Sequence, residues 1–280
     1  VCSSDLKVLQ GARNIVKWKK ELKSKTPFVI FQFLVVKPNE HQIEDVKWLA
    51  QGTIYPDVSF GMEGDTPSWL SLIPNGLNEP EHPNWGGWGG RYEFYKPPFD
   101  PMKKWIVPLE EETRPFWTNA EDEYTPRLQG KWGRALVKDT ATYKDNHVTI
   151  WRWREDFQND FAARMDWTIK DFKDANHPPI PKLNHAENVT VKSGEKFFLD
   201  AKGTTDPDGD ALSYYWIQYR EAGTYDGNIS FRPHASNMYR VPFTAPKVDS
   251  PKTIHFILKV SDKGTPILSR YKRVIVNVLP

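Results

Sequence analysis

Three stretches, LSYYWIQY (residues 212–219), TIHFILKVSD (residues 253–262) and RYKRVIVNV (residues 270–278), decide how this 280-residue chain is built. Each is rich in β-branched and aromatic residues, and apolar positions recur with a period of two, the period of an extended strand. NVTVKSG, KFFLDA and YRVPFTAP repeat the pattern, with turn residues between the runs. About six or seven such strands in roughly a hundred residues describe an immunoglobulin-like β-sandwich. The sole cysteine, Cys2, forms no internal disulfide, so Trp216 in the central strand is the expected core anchor.

Working upstream, ANHPP (residues 175–179) breaks the chain with two prolines and reads as a stiff linker. Before it, Ile150, Trp153, Phe157, Phe161, Met165, Ile169 and Phe172 recur at three- and four-residue steps, the core-facing stripe of a helix. Asp160 and Arg164 stand four apart off that stripe, a pair worth a few tenths of a kcal/mol. WRWRE (residues 151–155) opens the helix and reads as packing plus capping charge. From residue 76 to about 146 the chain shows little periodicity and reads mostly as loop. DTPSWLSLI predicts a helix start, with Asp65 as N-cap, Pro67 in the first turn and Pro74-Asn75-Gly76 as its stop.

Residues 7–50 read as a basic amphipathic helix (RNIVKWKKELKSK), a buried strand (PFVIFQFLVV) and a short helix through Ile43, Val46, Trp48 and Leu49. VCSSDL (residues 1–6) reads as a translated sequencing adapter, and the chain is expected to start at a broken end. The boundaries that follow are 1–6 as artefact, 7–176 as a first domain and 177–280 as a sandwich.

A formal net charge of +2 with 26% charged residues gives no basic surface for nucleic acid, and the longest apolar run is too short to span a bilayer. Aromatic content is the unusual figure: 14%, with Trp 12, Tyr 11 and Phe 15. Many of these rings gather in GMEGDTPSWLSLIPNGLNEPEHPNWGGWGGRYE (residues 61–93). Trp85, Trp88, Arg91 and Tyr92 suit a sugar platform, because glycines admit a ligand to the backbone, rings stack, and Arg91 donates hydrogen bonds. Equally, these rings suit packing inward onto the helix stripe. His82, between prolines, reads as a loop residue. In DPDGD, Asp206, Asp208 and Asp210 read first as a turn and second as a Ca²⁺ site, with Asp262 as a further ligand.

The loop stretch, TIWRWREDFQNDFAARMDWTI, ANHPP, DAKGTTDPDGDALSYYWIQYREAGTY and VSDKGTP together resemble a bacterial cellulose-binding protein family. Its members carry an N-terminal nucleoside-hydrolase-like domain and a C-terminal immunoglobulin- or cadherin-like domain. The likeness runs from about residue 48 to the end. It implies an α/β remnant, the C-terminal part of the hydrolase-like domain, followed by the sandwich. It also implies a calcium-dependent site, with Asp65 matching an aspartate that completes the metal site at a helix start. Gly64 stands where the family's enzymes have histidine, which leaves Glu63 as the nearest ionisable neighbour. Glu63 and Asp65 are therefore the catalytic candidates and Asp65 the metal candidate. The upstream acidic cluster of those enzymes has no match in residues 1–50, so this chain alone is expected to be inactive. The longer protein is expected to be secreted or periplasmic and to hydrolyse or bind a glycosyl compound or polysaccharide fragment. The alternative is a carbohydrate-binding protein that keeps the hydrolase fold as a scaffold.

Overall fold

The computed structural model describes residues 65–96, 115–125, 127–129, 135–137, 141–229 and 239–280. The elements read for residues 7–50, and Glu63, lie outside them. Helix α1 (Asp65–Leu72) starts at the predicted aspartate and stops before Pro74. The segment read mostly as loop carries short strands: β1 (Tyr92–Tyr95), β2 (Phe116–Asn119), β3 (Asp122–Tyr124), β4 (Arg127–Gln129), β5 (Ala135–Val137) and β6 (Tyr143–Asp145). They pair antiparallel as β1–β2, β3–β6 and β4–β5. Runs this short cannot show a period in sequence.

Helix α2 (Val148–Trp151) and helix α3 (Arg154–Trp167) follow. Trp153, Phe157 and Met165 of the expected stripe are buried, and Phe161 is half-buried. Past Trp167 the stripe fails, because α3 ends there and Phe172 opens a separate 3-10 turn, 70% exposed. Asp160 is buried and ion-paired with Arg270 at 2.9 Å, a partner from the last strand that the helical spacing does not reveal.

The sandwich consists of β7 (Asn188–Lys192), β8 (Lys196–Asp200), β9 (Ser213–Gln218), β10 (Arg240–Thr244), β11 (Lys252–Ser261) and β12 (Ser269–Leu279). One sheet has the order β7-β12-β11-β9, and the other pairs β10 with β8. β7 runs parallel to β12; the other pairs are antiparallel. The register places Ser261 opposite both Ser269 and Ser213. Between β11 and β12, the Asp262 carboxylate accepts the amides of Gly264 (3.1 Å) and Leu268 (2.9 Å), which closes the turn.

The alternation has two buried sides. Even-numbered residues Trp216, Ile254, Phe256, Leu258, Val260, Val274, Val276 and Val278 meet Leu199, Val241 and Phe243 of the facing sheet and form the core. Odd-numbered residues Tyr219, His255, Ile257, Ser269, Tyr271 and Arg273 point to the opposite face, and they too are buried. An antiparallel sheet with one solvated face would carry small polar or charged residues there. Residues 62–160 and 176–280 accordingly form one compact unit, and residues 161–175 fall in a second.

Trp216→Ala should cost roughly 3–5 kcal/mol in chemical denaturation, the expected loss for a large core truncation. Trp216→Phe should cost much less, because the buried indole N–H has no acceptor to lose.

Candidate functional site

The second face of the sheet is where the aromatic loop ends up. Arg273 sits there, buried, and its guanidinium donates to the carbonyls of Leu77 (3.0 Å) and Gly86 (2.9 Å) and to His255 Nδ1 (3.1 Å). Burial lowers the Arg273 pKa to about 10, against the raising effects of Tyr219 and Glu79, so it stays charged at neutral pH. Burial, then the charges of Arg273 and His82, lower the His255 pKa to about 3. His255 is thus a neutral imidazole whose lone pair meets the guanidinium.

The loop is shaped to reach these groups. Asn75 Oδ1 accepts the amides of Leu77 and Asn78, both at 2.9 Å, and so builds the turn after α1. The Asn78 amide donates to the carbonyls of Leu70 (2.7 Å) and Ile73 (2.8 Å), covering the helix end, while its Oδ1 accepts the Trp88 amide at 2.9 Å. Gly76 and Gly86 have φ of +83° and +76°, and a side chain at either would strike the Tyr271 carbonyl or the Tyr219 hydroxyl respectively. The glycines of this loop therefore admit the sheet's own groups.

Two carboxylates fix what surrounds it. Asp122, fully buried, accepts from Arg91 Nε (2.7 Å), Arg152 (3.0 Å) and the Tyr219 hydroxyl (2.6 Å). Burial alone would lower the Arg152 pKa, but Tyr219, Asp122 and Glu221 together raise it. Asp156, in the first turn of α3, accepts from Lys259 (2.6 Å), Ser269 (3.0 Å) and the Tyr271 hydroxyl. Burial, with Asp156 beside it, pushes the Tyr271 hydroxyl well above its ordinary pKa, so it holds its proton for that bond.

The predicted site residues divide accordingly. Trp88 is fully buried, edge-on to Phe157 and Tyr271, and its Nε1 donates to the Tyr271 hydroxyl at 3.3 Å. It presents no ring face to a ligand; for Trp88 the inward-packing alternative describes the structure. Trp85 is half-buried, with His82 stacked on it at 3.9 Å and the Arg273 guanidinium 5.6 Å from its centroid. Arg91 is held by Asp122 and by the Glu121 carbonyl at 2.6 Å, and the Tyr92 hydroxyl donates to the Gly89 carbonyl at 3.0 Å. Glu63 and the side chain of Asp65 lie outside the described residues.

Asp206, Asp208 and Asp210 bring one ligand atom each within 4.8 Å of one another. Their bonds are those of a turn: Asp206 Oδ1 accepts the amides of Asp208 and Asp210, both at 3.0 Å, and Asp208 holds the His177 amide at 2.6 Å. Asp262 is held by its own turn and by Asn176. Sequence reading missed Tyr219, His255, Tyr271, Arg273, Asp122 and Asp156. A signal existed for Tyr271, a large aromatic at an off-core position of a strand where small polar or charged residues are expected.

An α/β remnant with an immunoglobulin-like sandwich is thus the class of fold, as the sequence predicts. Two family models match the chain: cellulose-binding protein Sde0182, C-terminal domain, over residues 196–278, and cellulose-binding Sde182, nucleoside hydrolase-like domain, over residues 35–92. Over those residues the chain is similar to both domains of that family, and the resemblance seen in its motifs holds. A solved structure of a nucleoside hydrolase-related hypothetical protein from Saccharophagus degradans, associated with carbohydrate metabolism, is similar at 29% identity and a TM-score of 0.56. The match covers 95% of this chain and 60% of that one, so the chain spans less than two thirds of its relative's length. The PKD domain of the KIAA 1837 protein matches at 18% identity over 35% of this chain and 86% of its own, TM-score 0.24. The mouse protocadherin PcdhgC3 EC1-3 matches at 14% over 40% and 36%, TM-score 0.24. No curated protein matches the sequence.

Tyr271→Phe removes a donor to Asp156 and the acceptor of Trp88, both buried, and should cost ~1–3 kcal/mol in denaturant titration. His255 gives a pH test. Its folded pKa is depressed, so from about pH 6.5 down to about pH 3 the unfolded chain binds a proton that the folded chain refuses. Stability should therefore fall on acidification through that window, by up to ~1.4 kcal/mol per pH unit from this group. His255→Gln keeps an acceptor for Arg273 and should flatten that part of the pH profile of Tm.

Proposed function

We propose that this chain is a carbohydrate-binding part of a longer protein, and that it holds a non-ionic polysaccharide without hydrolysing it. One observation carries the reading. Every buried carboxylate among the described residues is already matched: Asp122 by Arg91 and Arg152, Asp156 by Lys259, Asp160 by Arg270, Asp166 by Lys170, and Asp262 by amides. Glycoside hydrolysis needs a pair of carboxyl groups poised across a sugar, one to give a proton and one to stabilise or attack the oxocarbenium centre. Each of these carboxylates is turned to partners inside the chain, and none is posed with a second across an open cleft. The match of both domain models to cellulose-binding proteins favours a polysaccharide as the ligand.

The hydrolytic reading belongs to the longer protein. The nucleoside hydrolase-like match spans Glu63 and Asp65, and an acidic cluster supplied upstream would complete a calcium site with Asp65. A polysaccharide ligand implies a secreted or periplasmic protein. No helix among the described residues is long and apolar enough to cross a membrane.

The test is retention of the purified chain on insoluble cellulose, alongside release of sugar from aryl glycosides and nucleosides. Saturable retention with no release at any calcium concentration is the expected result. Hydrolysis by this chain, abolished by Asp65→Asn, would replace the binding reading with the enzymatic one.

A further inference from the structure

While the loop turns its rings inward, the ribbon that follows turns its rings outward. β1 and β2 pair with Phe94 opposite Trp117 and Tyr95 opposite Phe116. Opposed residues share a face and neighbours alternate, so Tyr92, Phe94, Trp117 and Asn119 line one side. Phe94 is 62% exposed and Trp117 46%, with ring centroids 5.4 Å apart. Tyr95 and Phe116, on the other side, are each 41% exposed.

The foot of this ribbon is fixed. Ala120 donates its amide to the Arg91 carbonyl at 3.1 Å, Arg91 is locked on Asp122, and the Tyr92 hydroxyl is held by Gly89. Cross-strand aromatic pairs do stabilise a ribbon. Such pairing does not require the rings to stand in water, and contiguous exposed apolar surface marks a place where something binds. Among the paired residues of β1 and β2, none on the Phe94–Trp117 side is charged. Its polar groups are the Tyr92 hydroxyl, already engaged, and the Asn119 amide. A ligand that suits it is flat and uncharged, with a C–H face for the rings and hydroxyls at its edges. Pyranose rings in a β-linked chain have that form.

We propose that the Phe94–Trp117 side of the β1–β2 ribbon is a binding site for a non-ionic β-linked glucan, with the two rings stacking on pyranose faces. This rests on the carbohydrate-binding reading and moves its site away from the loop aromatics Trp85 and Trp88. The test compares the whole chain with a Phe94→Thr/Trp117→Thr variant and a Tyr95→Thr/Phe116→Thr variant. Threonine keeps the strand preference while removing the ring. Each protein is titrated on insoluble cellulose, with and without a soluble β-glucan oligosaccharide as competitor, and melted.

The Phe94/Trp117 variant should bind at least about tenfold more weakly, with Tm within about 4 °C of the parent, while the Tyr95/Phe116 variant loses less. Trp117→Tyr, which keeps a ring, should restore most of the retention. Parent-like retention in the Phe94/Trp117 variant overturns the site while leaving carbohydrate binding in place. A large drop in Tm with unchanged retention does the same and marks the face as a packing surface. A parent chain that does not bind cellulose overturns the carbohydrate reading and the site together. If the double variant fails to fold, Phe94→Thr alone, at the most exposed ring, decides by the same outcomes.

Discussion

A guanidinium inside a β-sheet is the constraint on which most of this structure depends. Arg273 lies on β12, away from the sandwich core, and burying it without partners would cost far more than a core side chain returns. Its two terminal nitrogens donate to two loop carbonyls and a neutral histidine, while its buried Nε has no hydrogen-bond partner. Those carbonyls reach it because Asn75 and Asn78 fold the loop tightly and because Gly86 leaves room for the Tyr219 hydroxyl. Loop and sheet complete each other, since each holds polar groups that only the other satisfies. Their joint membership of one compact unit follows from that hydrogen bonding.

The carboxylates extend the same logic. Asp122 gathers two arginines and a tyrosine from three parts of the chain, and Asp156 gathers a lysine, a serine and a tyrosine. Low local dielectric makes each network strong when complete and costly when broken. Completeness also commits these acids to structure, because their oxygens are already turned to partners within the chain. What the networks provide is a rigid foot for the ribbon, and rigid presentation of rings lowers the ordering cost of binding a flat ligand.

Much of the fold was legible in the sequence. Period two in residues 212–219, 253–262 and 270–278 gave the sandwich because its core face is nearly pure in apolar residues. Helix α1 runs from Asp65 to Leu72 and stops short of Pro74, within the bounds that the sequence suggests. The site was less legible. Asp160 at four residues from Arg164 looks like a surface position, yet it is buried and paired with Arg270, which is distant in sequence. Asp122 and Tyr219 meet across a separation that no local pattern encodes. The three- and four-residue strands between Tyr92 and Asp145 are too brief to show a period at all.

The glycine-rich aromatic loop shows why composition cannot separate a ligand surface from a docking surface. Both need glycines where another group comes close, and both need flat rings. The difference lies in where the polar atoms go. In residues 75–92 the Asn75 and Asn78 oxygens, the Trp88 indole N–H, the Arg91 guanidinium and the Tyr92 hydroxyl all end on partners within the chain. A surface kept for a sugar would leave such donors and acceptors turned outward, where hydroxyls could meet them. By that criterion the loop is an adaptor that fits a hydrolase-like segment to a sandwich sheet. The exposed rings immediately after it then become the part of this chain most suited to an external ligand.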